Sequence, residues 1–364
     1  MSLTLQNHTC LATRRNHLLP HLQEAKTPAF LTTALPNVRY LSGFTGSNGA
    51  VLITPERAIL FTDPRYQTQA SLESDCEVKI AKGPLLGEVS KWLKRLKVTG
   101  LGFERNRISY EEFEQLKEIA KGVRLKPLLG LVETLRLVKS EDEIATIRAS
   151  VRLNSAALEQ ALKSFKPEMT EVDLAAEIDY RMRMLGADGT AFDTIVASGA
   201  RTALPHAHPM ELPIAANELL LIDMGASVGG YASDMTRTQA IGKVSAKLRR
   251  MYRAVLESQL AAIDAVRPGV TAAAVDRAAR SVLQGYGMDK QFIHSTGHGL
   301  GLEIHERPRL GRKEKTKLLT GMTITIEPGV YEEGVGGVRI EDTIVVTGKG
   351  CEILTPSGKE FVVL

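Results

Sequence analysis

Short apolar, β-branched runs alternate with amphipathic stretches through the first third of the chain, the pattern of an α/β unit. Pro28–Thr32 and Ala50–Asp63 carry such runs (Ala-Val-Leu-Ile-Thr, Ala-Ile-Leu-Phe-Thr), and Val78–Ile80 and Leu101–Phe103 predict further short strands. Leu85–Leu96 and Ser109–Ala120 have helical periodicity, and Ser109 with Glu112 makes a capping box for the second. Tyr40–Ser47 and Thr62–Tyr66 read as polar or aromatic loops, with Asp63 and Arg65 as a local salt bridge. A boundary falls near Leu128–Arg136, giving domains over 1–131 and 132–364. Ser140 and Glu143 form a second capping box, opening a long helix with Ile144, Ile147, Val151, Ala156 and Leu158 inward.

The second domain repeats itself. Lys166–Asp173 (Lys-Pro-Glu-Met-Thr-Glu-Val-Asp) is echoed 101 residues later by Arg267–Ala274 (Arg-Pro-Gly-Val-Thr-Ala-Ala-Ala). Each copy predicts a helix starting at its threonine, Thr170 or Thr271, and ending near a glycine followed by Asp188 or Asp289. The strands repeat too: Leu219–Gly225 corresponds to Met322–Gly329, and Ser233-Asp234 to Ile340-Glu341. Two related αββ-like halves are expected, each with one acid at a strand end and a second on the hairpin partner.

Those acids, Asp223, Asp234, Glu327 and Glu341, lie in apolar, β-branched surroundings. Carboxylates are costly to bury there unless paired or bound to metal. Close by in sequence, His294, His298 and His305 fall within twelve residues of a chain that has eight histidines. Gly297, Gly299 and Gly301 argue against a helix there. On an extended strand His294 and His298 share a face, while His305 needs a bend or bulge to join them. Four carboxylates and one imidazole suit two divalent ions with bridging carboxylates. Such oxygen-rich ligation points to Mn²⁺, with Co²⁺ or Zn²⁺ as alternatives, rather than copper.

Composition narrows the class without changing this picture. The chain has 364 residues, 43% of them hydrophobic and 24% charged, which is enough for a large core. Its net charge of +4 is spread among interleaved acids, so nucleic-acid binding is not expected. No apolar run reaches the roughly 18 residues of a membrane span, and the N-terminus shows no secretory h-region. Three scattered cysteines without a Cys-x-x-Cys motif fit a reducing cytoplasm and exclude a cysteine-based zinc site.

Taken together, these segments resemble the pita-bread metallopeptidases, within them the aminopeptidase P and prolidase (Xaa-Pro-cleaving) group. The resemblance spans nearly the whole chain. It rests on Asp223 and Asp234 eleven residues apart, Gly297–His305, Thr325–Gly329 and Arg339–Glu341. Tyr40–Ser47 and Thr62–Tyr66 resemble the creatinase-type domain of that group. The implied fold is an α/β N-terminal creatinase-type domain followed by an α+β pita-bread catalytic domain with internal pseudo-twofold duplication.

The resemblance also implies roles. Asp223 would chelate one ion, Asp234 and Glu341 would bridge both, and His298 and Glu327 would complete the ligand set of the second ion. Glu327 would carry the proton. Ser198–His206 is similar to the family segment whose histidine faces the substrate, making His206 the oxyanion or substrate-orienting residue. His294 and His305 would line the proline pocket and stabilise the tetrahedral intermediate. Arg339 is expected to hold a bridging carboxylate. The segment after His206 departs from the family pattern by adding His208 at the mouth. The implied activity is removal of an N-terminal residue preceding proline, with the dipeptide-specific prolidase reaction as the alternative. A metal-free creatinase-like hydrolase and a non-catalytic binding protein are disfavoured by the intact ligand set. The implied assembly is a homodimer acting on small peptides.

Overall fold

The computed structural model describes residues 2–364. It comprises a first compact unit ending at Arg136 and a second over Leu137–Leu364.

The first unit is built on a six-stranded mixed sheet. Its strands are β1 (Ala29–Thr32), β2 (Gly49–Ile53), β3 (Ala58–Thr62), β4 (Glu77–Ile80), β5 (Gly100–Glu104) and β6 (Arg124–Leu128), in the order β4-β3-β2-β1-β5-β6. The helices are α1 (Ser2–Glu24), α2 (Leu35–Ser42), α3 (Gln67–Glu73), α4 (Leu85–Arg95), α5 (Tyr110–Ile119) and α6 (Leu131–Arg136). Leu52, Phe61, Leu101 and Phe103 from the sheet pack with Val89, Trp92, Leu93 and Leu116 from α4 and α5. Both bonds of the Ser109–Glu112 capping box are made.

Two segments differ from the sequence reading. Tyr40–Ser42 is the last turn of α2 and not a loop: Pro36 presets the first turn, and Gly43, at φ 78°, ends the helix in the left-handed conformation. The pattern did not predict α1, which contains Pro20 and buries only a sparse set, Leu11, Leu18 and Leu22, among its described side chains. Asp63 caps the short turn Pro64–Tyr66 and pairs with Arg65 at 2.9 Å, as expected of that dipeptide.

A polar knot is buried in this unit. Glu104 accepts from Thr32 Oγ1 (2.5 Å) and Asn37 Nδ2 (2.6 Å), and Arg136 Nη1 donates to Asn37 Oδ1 (2.7 Å). Burial pushes the Glu104 carboxyl up to about 7 despite the Thr32 bond, and the nearby Glu133 adds to the rise. Between its ordinary 4.5 and about 7 the folded state therefore binds more protons than the unfolded state. Stability falls as pH rises through that window and is flat above it. Glu104→Gln is expected to shrink the loss of stability between about pH 5 and pH 8 by roughly 2–3 kcal/mol. Urea unfolding at the two pH values measures this, and an unchanged loss would show that Glu104 does not titrate there.

In the second unit the duplication is explicit. Helices α7 (Glu141–Lys163) and α8 (Glu171–Met184) are matched by α9 (Ala246–Asp264) and α10 (Ala272–Gly285). Ser140 and Glu143 complete a capping box for α7, and Thr170 with Asp173 does so for α8. Thr271 occupies the equivalent position of α10 without a side-chain bond. Even the bridges to the following loops repeat, Thr170 with Pro213 and Thr271 with Lys317.

The strands of the first half are β7 (Gly189–Thr190), β8 (Ile195–Ser198), β9 (Leu219–Met224), β10 (Ala226–Val228), β11 (Tyr231–Ala232) and β12 (Met235–Ala240). Those of the second are β13 (Gly297–Gly299), β14 (Glu306–Leu310), β15 (Thr323–Ile326), β16 (Gly329–Glu332), β17 (Gly336–Arg339), β18 (Asp342–Val346) and β19 (Cys351–Ile353). They form sheets in the orders β12-β9-β8, β11-β10-β7, β14-β13-β15-β18-β19 and β16-β17. Ile222 and Leu220 pack on Leu158, Leu174 and Ile178 in one half, while Ile324 and Ile344 pack on Val255, Val275 and Leu283 in the other. Each half thus turns one sheet face to its helices and leaves the strand ends free to carry polar groups.

Candidate metal centre

Two antiparallel pairs, β9–β12 and β15–β18, bring the four acids together. Asp223 lies on β9 opposite Thr236, and Asp234 immediately precedes β12. Glu327 immediately follows β15, and Glu341 sits between β17 and β18. His298 is the middle residue of β13, where the register shifts so that Gly299 pairs with Glu306. That bulge brings His305 back beside His298, their ring centroids 4.5 Å apart, as the odd spacing required. Gly297 and Gly299 permit the close packing, since a Cβ would stand 2.0 Å from the Thr325 carbonyl oxygen and 2.2 Å from that of Arg307.

The ligand atoms of Asp234, His298 and Glu341 lie within 4.8 Å of one another. His298 Nε2 is 3.5 Å from Asp234 Oδ2 and 3.3 Å from Glu327 Oε1. Nδ1 faces the Gly299 carbonyl at 3.0 Å, which makes it the donor and leaves Nε2 as the free lone pair. Two carboxylates have one oxygen tied and one aimed inward. Asp223 Oδ2 accepts from Arg339 Nη2 (2.7 Å) and Glu341 Oε2 from Thr236 Oγ1 (2.7 Å). Asp223 Oδ1 and Glu341 Oε1 are buried with no protein partner.

Electrostatics point the same way. Burial, reinforced by Glu341, Asp223 and Glu327, pushes Asp234 well above the usual carboxylate range. Glu341 rises for the same reasons, and burial lifts Glu327 to about 7 against the pull of Arg339. Four buried carboxylates, two orphaned oxygens and one imidazole lone pair fit divalent cations, which would balance that charge.

Arg339 is the hub of the surroundings, and its role differs from the one expected. It grips Asp223 directly and reaches Glu341, two residues on, only through Thr236, whose hydroxyl accepts from Arg339 Nε at 3.0 Å. The guanidinium bonds Thr236 and Asp223 together because the two face each other across the β9–β12 pair. Its Nη1 also donates to Tyr331 Oη (2.8 Å) and to the Pro205 carbonyl (3.1 Å), next to His206.

Tyr331 links onward to His294 Nε2 at 2.9 Å, while His294 Nδ1 faces the Ser295 carbonyl at 2.8 Å. Burial first, then the charge of Arg339, holds the His294 imidazolium down to about 4, so the ring is neutral at neutral pH. Both its nitrogens are engaged, which leaves ring carbon, not a nitrogen, for a ligand.

His206 is exposed on the segment after the short turn Gly199–Ala203, near His294 and His305. Buried Glu171 fastens this segment by accepting from Ser198 N (2.8 Å), Arg201 Nε (3.1 Å) and Met210 N (3.1 Å). Arg201 Nη2 adds a bond to the His208 carbonyl (2.6 Å).

The sequence reading missed Thr236, Thr325 and Tyr331. Thr325 Oγ1 donates to Glu327 Oε1 (3.1 Å) and accepts from His298 N (3.1 Å). A signal existed for the threonines: each lies two residues from an acid, on the same face of its strand. Tyr331 had none.

The sequence profile of metallopeptidase family M24 matches residues 145–348, and that of the creatinase/prolidase N-terminal domain matches residues 14–138. A Xaa-Pro dipeptidase of Pyrococcus horikoshii is 37% identical over 95% of this chain and 97% of its own. Among solved structures, a Xaa-Pro dipeptidase from Bacillus anthracis superposes with a TM-score of 0.95 at 40% identity, covering 97% of this chain and all of its own. An X-Pro aminopeptidase from Thermotoga maritima gives 0.88 at 35% identity, covering 93% and 98%.

Proposed function

The chain belongs to metallopeptidase family M24, and on that premise we propose that it hydrolyses the bond between an N-terminal residue and a following proline, with the Xaa-Pro dipeptide as its main substrate. The observation that carries the reading is the cluster of Asp234, His298, Glu341 and Glu327, with Asp223 tied to it through Arg339 and Thr236 and two buried carboxylate oxygens left unpartnered. The sequence reading favoured longer peptides. The names of relatives matching nearly the whole chain support the dipeptidase instead.

Divalent ions, Mn²⁺ in our proposal, would be held by those five side chains, acidifying a water and polarising the scissile carbonyl. The chain's own residues do the rest. Glu327, held beside Thr325 and His298, takes the proton and delivers it to the leaving imino nitrogen. His206 and His305 orient the carbonyl. The His294 ring packs against the pyrrolidine, which brings no N–H and asks for none to be accepted. The proposal includes a homodimer in a reducing cytoplasm, in keeping with three free cysteines.

Elemental analysis with assays on Ala-Pro and Ala-Pro-Ala tests the reading. About two ions per chain, chelator-sensitive cleavage and preference for Ala-Pro are expected. Preference for Ala-Pro-Ala would restore the aminopeptidase alternative, and undiminished cleavage by metal-stripped protein would sink the metal mechanism.

A further inference from the structure

We propose that Arg280, braced by Asp276, is a positioning residue for His294. The proposal rests on the reading of His294 as a wall of the substrate site. Helix α10 buries Val275, Ala279 and Leu283 in the core, and Asp276 is buried beside them, its side chain 1% exposed. An apolar helix face gains nothing from a carboxylate there unless it has partners. Asp276 has two. Oδ2 accepts from Arg280 Nε (2.8 Å), one turn along the helix, and Oδ1 accepts from Thr296 Oγ1 (2.8 Å).

Arg280 spends its remaining donors on the same neighbouring segment. Nη1 donates to the Phe292 carbonyl (2.9 Å) and Nη2 to the His294 carbonyl (2.5 Å), while the guanidinium lies 4.1 Å over the Phe292 ring. Residues 292–295 form neither helix nor strand, so the Phe292 and His294 carbonyls have no place in a strand ladder. The planar fork supplies them, spanning two carbonyls two residues apart in a way a lysine ammonium does not.

The His294 ring takes its direction from this backbone. Its two nitrogens meet Ser295 O and Tyr331 Oη only when the 292–296 segment is held in register. At the far end Thr296 continues the path, its carbonyl accepting from Glu327 N at 2.7 Å. The outer side of the Asp276–Arg280 pair faces a cavity of about 340 Å³, also lined by Arg277, Ser281, Gln284 and Arg312, through which a small cation can reach the pair.

The test is a double-mutant cycle on the metal-loaded enzyme with Ala-Pro as substrate. Arg280→Lys keeps the charge beside Asp276 and is expected to keep both the fold and the metal content. Its kcat/KM is expected to fall about tenfold, as a small misplacement of a site group does. His294→Ala is expected to lose more, and Arg280→Lys with His294→Ala no more than His294→Ala alone. Multiplicative losses in the double variant, or wild-type kcat/KM in Arg280→Lys beside an impaired His294→Ala, overturn the proposal. Wild-type kcat/KM in His294→Ala overturns the reading of His294 on which the proposal rests, and an inactive wild-type enzyme overturns the assigned reaction before any variant is made. Arg280→Ala assayed in dilute guanidinium is a second arm: severalfold recovery, absent with tetramethylammonium, is expected, and no recovery overturns the proposal.

Discussion

Glu327→Gln is expected to lower kcat on Ala-Pro by about three orders of magnitude while the protein stays folded. The amide keeps the volume and can still accept from Thr325, and the backbone bond from Glu327 N to Thr296 is untouched. What the variant loses is the ability to take a proton. The carboxylate it replaces can accept and return a proton, and an amide cannot. Removing one of four mutually repelling carboxylates relieves the charge on Asp234 and Glu341, so the metal-free variant should melt no lower than wild type. Steady-state kinetics, elemental analysis and a melting curve decide the matter together. A kcat within about tenfold of wild type, with both ions present, would remove Glu327 as the proton carrier. Loss of an ion in step with activity would assign it to metal holding alone.

The acids were legible because each sits in an apolar strand run that the chain writes twice, so a pairing in sequence announced a pairing in space. Capping boxes at Ser109 and Ser140 and the helix start at Thr170 were legible for a local reason, since the residues that set them lie within one turn. Helix α2 was not, because Pro36 and Asn37 carry turn chemistry that here serves to start a helix. The hub around Arg339 was legible only in part. Its contact with Thr236 spans 103 residues and that with Asp223 spans 116, distances over which no periodicity speaks. Asp276 and Arg280 have in sequence only the i,i+4 spacing of any helix pair, and only the carbonyls of Phe292 and His294 reveal where the arginine points. Substrate length was hardest. The sequence reading favoured longer peptides and the names of the relatives favour the dipeptide, a distinction that residue type alone does not encode.

Arg339→Met is expected to destabilise the metal-free protein far more than the metal-loaded one. The guanidinium is buried, 3% exposed, and it holds Asp223, Thr236, Tyr331 and the Pro205 carbonyl at once. Methionine fills similar space but leaves the Asp223 carboxylate buried among three other acids without its cation. Breaking a buried pair by removing one partner costs roughly 3–5 kcal/mol. Divalent ions at the centre return positive charge to that carboxylate, so most of the cost disappears on loading. The rise in melting temperature on adding Mn²⁺ should therefore be larger in the variant than in wild type. Catalysis is not restored in the same way, because no ion replaces the bonds that fix Pro205 beside His206 and Tyr331 against His294. A loss of about a hundredfold in kcat/KM at saturating metal is expected, the scale of a misplaced site group. Arg339→Lys, with its charge kept and its fork gone, should recover most of the metal-free stability and little of the rate. Equal melting shifts in variant and wild type would mean that Arg339 does not stand in for cation charge at Asp223, and full activity would mean that the histidines are held by other contacts.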